Sequence, residues 1–321
     1  MNGILHQMDD LGLRNIPFLF IIDFDMKMPV VIPLKDIDDN EILFSVNGIK
    51  NHKKTPETGK KLTFKVNPVD KQRYCRAFEK AQYHINRGDS FLLNLTMPTK
   101  IVTNHTLKEI FYRSNAPYKL WVKDKFTLFS PEIFVKTENG VITSFPMKGT
   151  MDATIKDAGK KLLENRKELA EHYTIVDLIR NDLSTVARNV TVKRFRYIQK
   201  IKTHKKELLQ MSSEISGQIR GNYENRFGSI FEKLLPAGSV SGAPKKKTVE
   251  IIKDAEQYNR GYYTGVFGIF DGKNIDSAVM IRFIEKTENG LVYKSGGGIT
   301  ALSNCSEEYN ELIDKVYVPF T

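Results

Sequence analysis

The stretch YYTGVFGIFDGKNIDSAVMIRFIEKTENGLVYKSGGG (residues 262–298) decides the fold class, because it alternates apolar runs of strand length with polar turns. DGKN (271–274) is typical of a hairpin connection, and ENG (138–140) marks another hairpin earlier in the chain. Hairpins outnumber strand–helix–strand units along the sequence. We therefore predict an α+β fold, with antiparallel sheet and helices segregated to its faces.

Further strands and helices are predicted outside this stretch. The strand-like runs are IPFLFIID (16–23), EILFSV (41–46), KLTFKV (61–66), SFLLNLTMP (90–98), KLWVKD (119–124), FTLFS (126–130) and IFVKTENGVITSF (133–145). Helical patterns cover 71–88 with Gly88 as the stop, about 155–183, the segment from Ala243 through KKKTVEIIKDAEQ, and 306–316.

Composition bounds the class of protein. The 321 residues are 40% hydrophobic, enough for a substantial core without disulfides. Cys75 and Cys305 form no CxxC pair, and no signal peptide precedes them, so we expect free thiols and a cytoplasmic setting. The apolar run near IPFLFIIDF is too short to span a bilayer, so we expect no membrane association.

The net charge of +11 admits more than one interpretation. Lysines are spread along the chain, and the runs KTHKKE (202–207) and PKKK (244–247) are short. We interpret them as solvated helix faces rather than as a nucleic-acid footprint. A basic nucleic-acid-binding protein remains an alternative from a different class, and attraction of a small polyanionic substrate is a third.

Two carboxylate pairs share one spacing. Glu168 and Glu171 lie three residues apart in a predicted helix, and Glu308 and Glu311 repeat that spacing in the closing helix. Each pair therefore occupies one helix face, and two such faces could hold a hard cation such as Mg²⁺ between them. On its own, an E-x-x-E pair is more often a solvated helix face.

Glycine-rich loops and one arginine suggest an anionic ligand. PAGSVSGAPK (236–245), which contains Ser241, runs into a helix, and SGGG (295–298) follows a strand. Either loop could also be a plain turn. Arg282 interrupts an apolar strand, where it would share a face with Met280 and Ile284, and it needs a carboxylate from the protein or from a substrate.

The segment SFPMKGTMD (144–152) places Lys148 between a stiffening Pro146 and a permissive Gly149. From these residues alone, Lys148 is a solvated charge, an anion clamp or a nucleophile.

Eight segments occur in an order that resembles the chorismate-utilising enzymes, which include anthranilate synthase component I, aminodeoxychorismate synthase component I, isochorismate synthase and salicylate synthase. The segments are SPEIF (130–134), PMKGT (146–150), KELAEHYTIVDLIRNDL (167–183), AGSVSGAPK (237–245), RGYYTGVFG (260–268), IR (281–282), SGGGI (295–299) and EEYNELIDK (307–315). The resemblance covers most of the chain from about residue 85 onward.

The resemblance implies one catalytic domain over residues 1–321, a two-sheet sandwich with a shortened N-terminal region and a Mg²⁺-dependent chorismate site. By position, Glu171 and Glu311 resemble direct metal ligands, and Glu168 and Glu308 resemble water-bridged ones. The expected substrate-binding residues are Gly149, Thr150, Ser241, Tyr263, Arg282, Gly296 and Gly298.

Lys148 points to one reaction within the family. Aminodeoxychorismate synthases carry lysine before this Gly-Thr, and that lysine is taken to attack C2 of chorismate before ammonia adds at C4. Glu132 resembles the general acid/base of the family. Leu92 stands where water-using relatives carry a lysine, and Gln210 replaces a family histidine associated with pyruvate elimination.

The resemblance therefore implies synthesis of 4-amino-4-deoxychorismate, a precursor of p-aminobenzoate and folate. Ammonia would come from a separate glutamine amidotransferase subunit, because this sequence has no Cys-His-Glu glutaminase signature. The alternative within the family is anthranilate synthase component I, which makes anthranilate and pyruvate.

Overall fold

The computed structural model describes residues 3–53, 61–202 and 207–320. Its centre consists of two antiparallel sheets of nine strands each. The first sheet contains β1 (Phe18–Ile22), β2 (Val30–Pro33), β9 (Ile133–Glu138), β10 (Val141–Ser144), β11 (Met147–Asp152), β12 (Ala187–Lys202), β13 (Glu207–Ile219), β15 (Val266–Phe270) and β16 (Ile275–Val279). Their order is β11–β13–β10–β9–β16–β15–β1–β2, with β12 paired to β13.

The second sheet contains β3 (Ile42–Val46), β4 (Ile49–Lys50), β5 (Phe64–Asn67), β6 (Leu92–Thr103), β7 (Tyr118–Val122), β8 (Phe126–Ser130), β14 (Gly242–Ala243), β17 (Phe283–Thr287) and β18 (Gly290–Ile299). Their order is β14–β6–β18–β17–β8–β7–β3–β4, with β5 paired to β6. The long register between β6 and β18 runs from Ile101 opposite Leu291 to Leu93 opposite Ile299.

Helices cover the outer faces of both sheets. They are α1 (Gly3–Leu13), α2 (Lys71–Asn86), α3 (Leu107–Arg113), α4 (Ala158–Glu164), α5 (Arg166–Ser184), α6 (Phe227–Leu234), α7 (Lys245–Glu256) and α8 (Cys305–Asp314). One apolar core joins the first sheet to α1, α5 and α6, and another joins β6 to α2, α7 and α8. A third core lies between the sheets, where Ile21 and Phe267 meet Leu120 and Phe283. The predicted sandwich with outer helices is confirmed.

Most predicted elements are present, with two corrections. The helix expected over 155–183 is two helices, because Asn165 ends α4 and caps α5 by accepting from the Glu168 N–H. The strand SAVMIRFIEK is interrupted after Val279, and β16 and β17 lie in different sheets. Arg282 has φ +52° in this crossing, so the prediction that it alternates within a strand beside Met280 and Ile284 is wrong.

Of the two lysine-rich runs that were predicted to be helix faces, one begins a helix and the other lies between two strands. Lys245 and its neighbours begin α7, as expected of a helix face. In KTHKKE, Lys202 ends β12 and Glu207 begins β13, so these ends belong to strands, and residues 203–206 lie outside the described residues. The long β12–β13 hairpin was not predicted.

The two cysteines are bonded to each other. Cys75 in α2 and Cys305 at the start of α8 have sulfur atoms 2.31 Å apart and Cα atoms 6.0 Å apart. The prediction of free thiols is therefore wrong. The pairing joins positions 230 residues apart, and spacing along the sequence gives no signal for it. None of the described helices is both long and apolar enough to cross a membrane.

Candidate active site

The chain crosses between the two sheets at Glu132 and again at Arg282. Glu132 follows β8 of the second sheet and precedes β9 of the first, while Arg282 lies between β16 and β17. The Glu132 carbonyl accepts a hydrogen bond from Val279 N at 3.1 Å, which brings the two crossings side by side. Residues from distant segments thereby meet at one point between the sheets.

Lys148 lies inside the protein rather than on its surface. It sits on β11 at an irregularity in the pairing with β13, directly before Gly149 with φ +73°. Its side chain is 17% exposed, and its Nζ lies 3.6 Å from Glu171 Oε2. The interpretation of Lys148 as a solvated surface charge is therefore excluded, while the clamp and the nucleophile remain.

The two acidic pairs flank consecutive glycines of β18. A Cβ added to Gly298 would lie 3.0 Å from Lys148 Nζ and 3.2 Å from Glu171 Oε2. A Cβ added to Gly297 would lie 3.4 Å from Glu308 Oε2 and 3.5 Å from Glu311 Oε1. Glu171 of α5 and the pair on α8 therefore lie beside adjacent glycines at one end of β18, whose Cβ directions alternate between the two faces of the strand.

Gly149 lies close to the remaining carboxylate of the first pair, Glu168. A Cβ at Gly149 would lie 3.1 Å from Glu168 Oε2 and 2.8 Å from Leu162 Cδ1. The strand that carries Lys148 can approach Glu168 this closely only because residue 149 has no side chain.

The donor chemistry of these pairs fits a hard cation, but their arrangement is that of two separate pairs. All four groups are carboxylates, which suit Mg²⁺. Lys148 lies by Glu171, and Lys315 Nζ lies 2.5 Å from Glu311 Oε1, so an ammonium group accompanies each pair. Within residues 3–53, 61–202 and 207–320, no three acidic, histidine or cysteine side chains converge closely enough to hold a metal ion.

The surroundings of Glu132 favour the protonated form of its carboxyl group. Burial raises the pKa of its carboxyl group, and a hydrogen bond from Ser239 together with the charges of Lys148, Arg282 and Lys315 counteracts only part of that rise. A carboxyl group with a raised pKa, next to an amine, can both donate and accept a proton during a reaction.

Arg282 offers an unused donor beside Glu132. Its Nε is buried and has no hydrogen-bond partner among the described residues. Its guanidinium carbon lies 5.3 Å from the centre of the Tyr317 ring. Burial opposes the charge of Arg282, and the neighbouring Tyr293 and Tyr317 favour it, with the result that its pKa is raised. A guanidinium group is charged at neutral pH. An anionic ligand could take the free donor.

Tyr263 lies close to this arginine. It is 3% exposed and sits in the turn before β15, with its ring 5.9 Å from that of Phe283. Burial raises the pKa of its phenol, and Arg282 and Glu132 both act on it electrostatically. Tyr263 therefore remains a neutral hydrogen-bonding group.

The other predicted substrate contacts differ in what they present. The Ser241 hydroxyl is buried and donates to the Ala237 carbonyl at 2.8 Å, so it holds its own loop. The Gly296 carbonyl accepts from Lys315 Nζ at 2.9 Å. Thr150 is described by its backbone, which pairs with Gln210 of β13. The ligand roles of all these residues stay predictions.

Sequence reasoning missed three residues of this site. Ser239 contacts Glu132, Gly297 touches the second acidic pair, and Lys315 accompanies Glu311. Lys315 could have been found, because it lies four residues after Glu311 on the same helix face. His172, fully buried behind Glu171, has Nε2 2.6 Å from Ser213 Oγ, and burial lowers its pKa to about 4. Its neutral ring joins α5 to β13 and has a structural role.

Comparison with known proteins identifies the class. A family model described as chorismate binding enzyme matches residues 34–320. The fold is also that of the menaquinone-specific isochorismate synthase of Escherichia coli, with a TM-score of 0.73 over 98% of this chain and 79% of that one at 16% identity. The family model assigns the chain to the class of chorismate binding enzymes, and the structural match shows that the chain has the same fold.

The chain belongs to the chorismate binding enzyme family. It is 49% identical to an uncharacterized PabA-like protein of Pasteurella multocida over 320 residues, 99% of both chains. It is 32% identical to anthranilate synthase component 1 of Acetivibrio thermocellus and 30% identical to aminodeoxychorismate synthase component 1 of Bacillus subtilis. Those matches cover 77% and 78% of this chain but only 52% and 55% of the two synthases.

Proposed function

We propose that the protein is an aminodeoxychorismate synthase component I, which converts chorismate and ammonia to 4-amino-4-deoxychorismate and water. The observation that carries the proposal is the position of Lys148, whose amine faces Glu171 at the glycine end of β18. Leu92 also supports the proposal, because a Cβ added to Gly298, which would lie close to Lys148 Nζ, would also lie 3.2 Å from Leu92 Cδ1. An apolar side chain there offers no base to activate water.

The reaction proceeds by two displacements. The deprotonated Lys148 amine attacks C2 of chorismate, the ring double bonds shift, and the C4–oxygen bond breaks. Glu132 gives its proton to the departing hydroxyl, which leaves as water. Ammonia then attacks C4, Glu132 takes up the proton that ammonia loses, and the C2–nitrogen bond breaks to release Lys148.

A cation and an arginine would hold the substrate during these steps. Glu168, Glu171, Glu308 and Glu311 would hold Mg²⁺, which would supply positive charge to neutralise a carboxylate of chorismate. The free Nε of Arg282 would bind the other carboxylate, beside Tyr263. Gly149, Thr150, Ser241, Gly296 and Gly298 would contact the substrate around them.

Anthranilate synthase component I is the second candidate, and the 32% identity to such an enzyme favours it. Two positions favour amination at C4 instead. Lys148 supplies a nucleophile, and Gln210 carries no titratable group where the family histidine is associated with pyruvate elimination.

We further propose that ammonia reaches the site from a separate glutamine amidotransferase subunit. The product would supply p-aminobenzoate for folate synthesis in the cytoplasm. A partner that delivers ammonia should raise the rate at neutral pH, where free ammonia is scarce.

Product identification tests the proposal. Incubation with chorismate, Mg²⁺ and ammonium at high pH should give aminodeoxychorismate, whereas anthranilate with pyruvate would refute the assignment. Intact-mass spectrometry without ammonium should detect a covalent adduct that disappears in Lys148→Ala. Lys136→Ala is a matched control, since Lys136 is also partly buried and also pairs with a carboxylate, Asp276, at 3.0 Å. An adduct that survives Lys148→Ala would place the nucleophile elsewhere.

A further inference from the structure

A buried ion pair behind the site is not used by the proposed reaction. Arg260 and Glu256 are 3% and 1% exposed, and they join at 2.6 Å between Arg260 Nη2 and Glu256 Oε1. Neither side chain can reach a ligand, because both are enclosed by protein. Any role in the reaction must therefore act through the groups that they hold.

Arg260 uses every N–H donor of its guanidinium group. Nε donates to Glu256 Oε2 at 2.9 Å, and Nη2 donates to Glu256 Oε1 and to the Asn94 carbonyl, both at 2.6 Å. Nη1 donates to the Val240 carbonyl at 2.8 Å and to Thr264 Oγ1 at 3.2 Å. One side chain thus joins α7, β6, the loop before β14 and the turn before β15.

Glu256 fixes the same strand at a second point. Its Oε1 accepts from Thr96 N at 2.7 Å and from Thr96 Oγ1 at 2.9 Å. Thr96 pairs with Gly296 and Asn94 pairs with Gly298 in the register between β6 and β18. The ion pair therefore fixes the position of β6. Through the pairing of β6 with β18, it also fixes the glycine segment of β18 that faces Lys148 and the acidic pairs.

The other two attachments also lead directly to site residues. Val240 follows Ser239, whose hydroxyl hydrogen-bonds Glu132. Thr264 follows Tyr263 and has φ +63°. A shift of the Arg260 guanidinium group would move Ser239 and Tyr263, because Arg260 is hydrogen-bonded to the residue that follows each of them.

Stability alone does not explain this arrangement. A buried ion pair costs desolvation, and replacing both partners by apolar groups of similar volume is often neutral or stabilising. A planar fork that satisfies three separate backbone or hydroxyl acceptors has no apolar equivalent. We propose that Arg260 and Glu256 are positioning residues, which hold the glycine strand, the Glu132-binding loop and the Tyr263 turn in register for the reaction with chorismate.

The test compares variants by activity and by stability. Arg260→Lys keeps the charge but has too few donors in too few directions to reach all the acceptors, and the double variant Arg260→Met with Glu256→Leu removes both charges. Each should keep a wild-type circular dichroism spectrum while kcat/KM for chorismate falls about 100-fold, the effect of misplacing reacting groups by about 1 Å. Asp9→Ala is the control, because Asp9 is a buried polar residue that joins α1 to α6 by accepting from Ser229 N at 3.0 Å.

A pH profile separates positioning from general weakening of the fold. Glu132 is faced by Lys148, Arg282 and Lys315, by the Tyr263 phenol and by the Ser239 hydroxyl. Loss of the hydrogen bond from Ser239 removes support for the carboxylate. The limb of the kcat/KM profile that vanishes in Glu132→Gln should therefore move to higher pH in both Arg260 variants and stay in place in Asp9→Ala.

The positioning role is overturned if both variants keep wild-type kcat/KM. It is also overturned if the activity of both variants falls only in proportion to their melting temperature, as in Asp9→Ala, while the pH profile of kcat/KM does not shift. The inference takes one thing from the proposed function, namely that the site acts on chorismate. Because the assay scores chorismate consumption, a wild-type enzyme that makes a product other than aminodeoxychorismate would refute the proposed reaction without deciding this test.

Discussion

Gly149 and Gly140 offer a matched pair for testing the close approach of β11 to the acidic helix. Both have a left-handed backbone, with φ +73° and +76°. A Cβ at Gly140 would have nothing within 4 Å, whereas a Cβ at Gly149 would meet Leu162 at 2.8 Å and Glu168 at 3.1 Å. Alanine therefore introduces the same backbone strain at both positions and a steric conflict at one.

The magnitude follows from these two terms. Left-handed backbone costs alanine about 1–2 kcal/mol, and the less flexible unfolded chain returns about 0.4–1 kcal/mol. Gly140→Ala should thus lower the free energy of unfolding by about 1 kcal/mol. At Gly149, crowding of Leu162 and Glu168 adds about 1–3 kcal/mol. Because it also displaces Lys148 and Glu168, Gly149→Ala should reduce kcat/KM about 100-fold.

Urea denaturation and chorismate turnover at varied Mg²⁺ measure the two effects separately. Gly140→Ala should keep wild-type turnover, and Gly149→Ala should lose turnover and need more Mg²⁺. Wild-type kinetics in Gly149→Ala would show that the proximity of Gly149 to Glu168 has no catalytic meaning. Equal loss of turnover in both variants would show that strain, not contact, is responsible.

Three further predictions concern single side chains. Glu132→Gln should lower kcat by about 10²–10⁴-fold in steady-state assays while chorismate still binds; unchanged kcat would remove Glu132 from the mechanism. Arg282→Lys should raise KM for chorismate about 10–100-fold, because an ammonium cannot replace a planar fork; an unchanged KM would assign the carboxylate to another group. Burial and nearby Lys50 lower the pKa of Lys119 to about 8, from 10.5. Between these values the unfolded chain holds more protons, so stability should rise with pH from about 8 to 10.5 by up to about 3 kcal/mol, an increment that calorimetry should find missing in Lys119→Met.

The local parts of the site could be predicted from the sequence. Glu168 with Glu171, and Glu308 with Glu311, needed only the pitch of a helix to share a face. Gly149 needed only the observation that glycine tolerates conformations that other residues avoid. These inferences depend on a few neighbouring residues, and the structure brings Glu171 to Gly298, Glu308 and Glu311 to Gly297, and Glu168 to Gly149.

The remaining features depend on contacts between distant segments. The bond between Cys75 and Cys305 requires α2 and the start of α8 to lie side by side, which no local pattern encodes. The hydrogen bond between Ser239 and Glu132 likewise joins two loops more than 100 residues apart. The apolar run around Arg282 gave a misleading strand, because apolar alternation continues on both sides of a crossing between sheets.

That crossing explains why polar chemistry can exist at the centre of this fold. The central strands β1, β8 and β15 are buried along their whole length, so a charged side chain within them would face apolar neighbours. Where the chain leaves one sheet for the other, the ladder is interrupted and side chains can point into the space between the sheets. Glu132 and Arg282 occupy two such crossings, and the Glu132 carbonyl bonds to Val279 at the end of β16. The site is therefore a consequence of the topology, and the strands on either side supply the rigidity that its charges need.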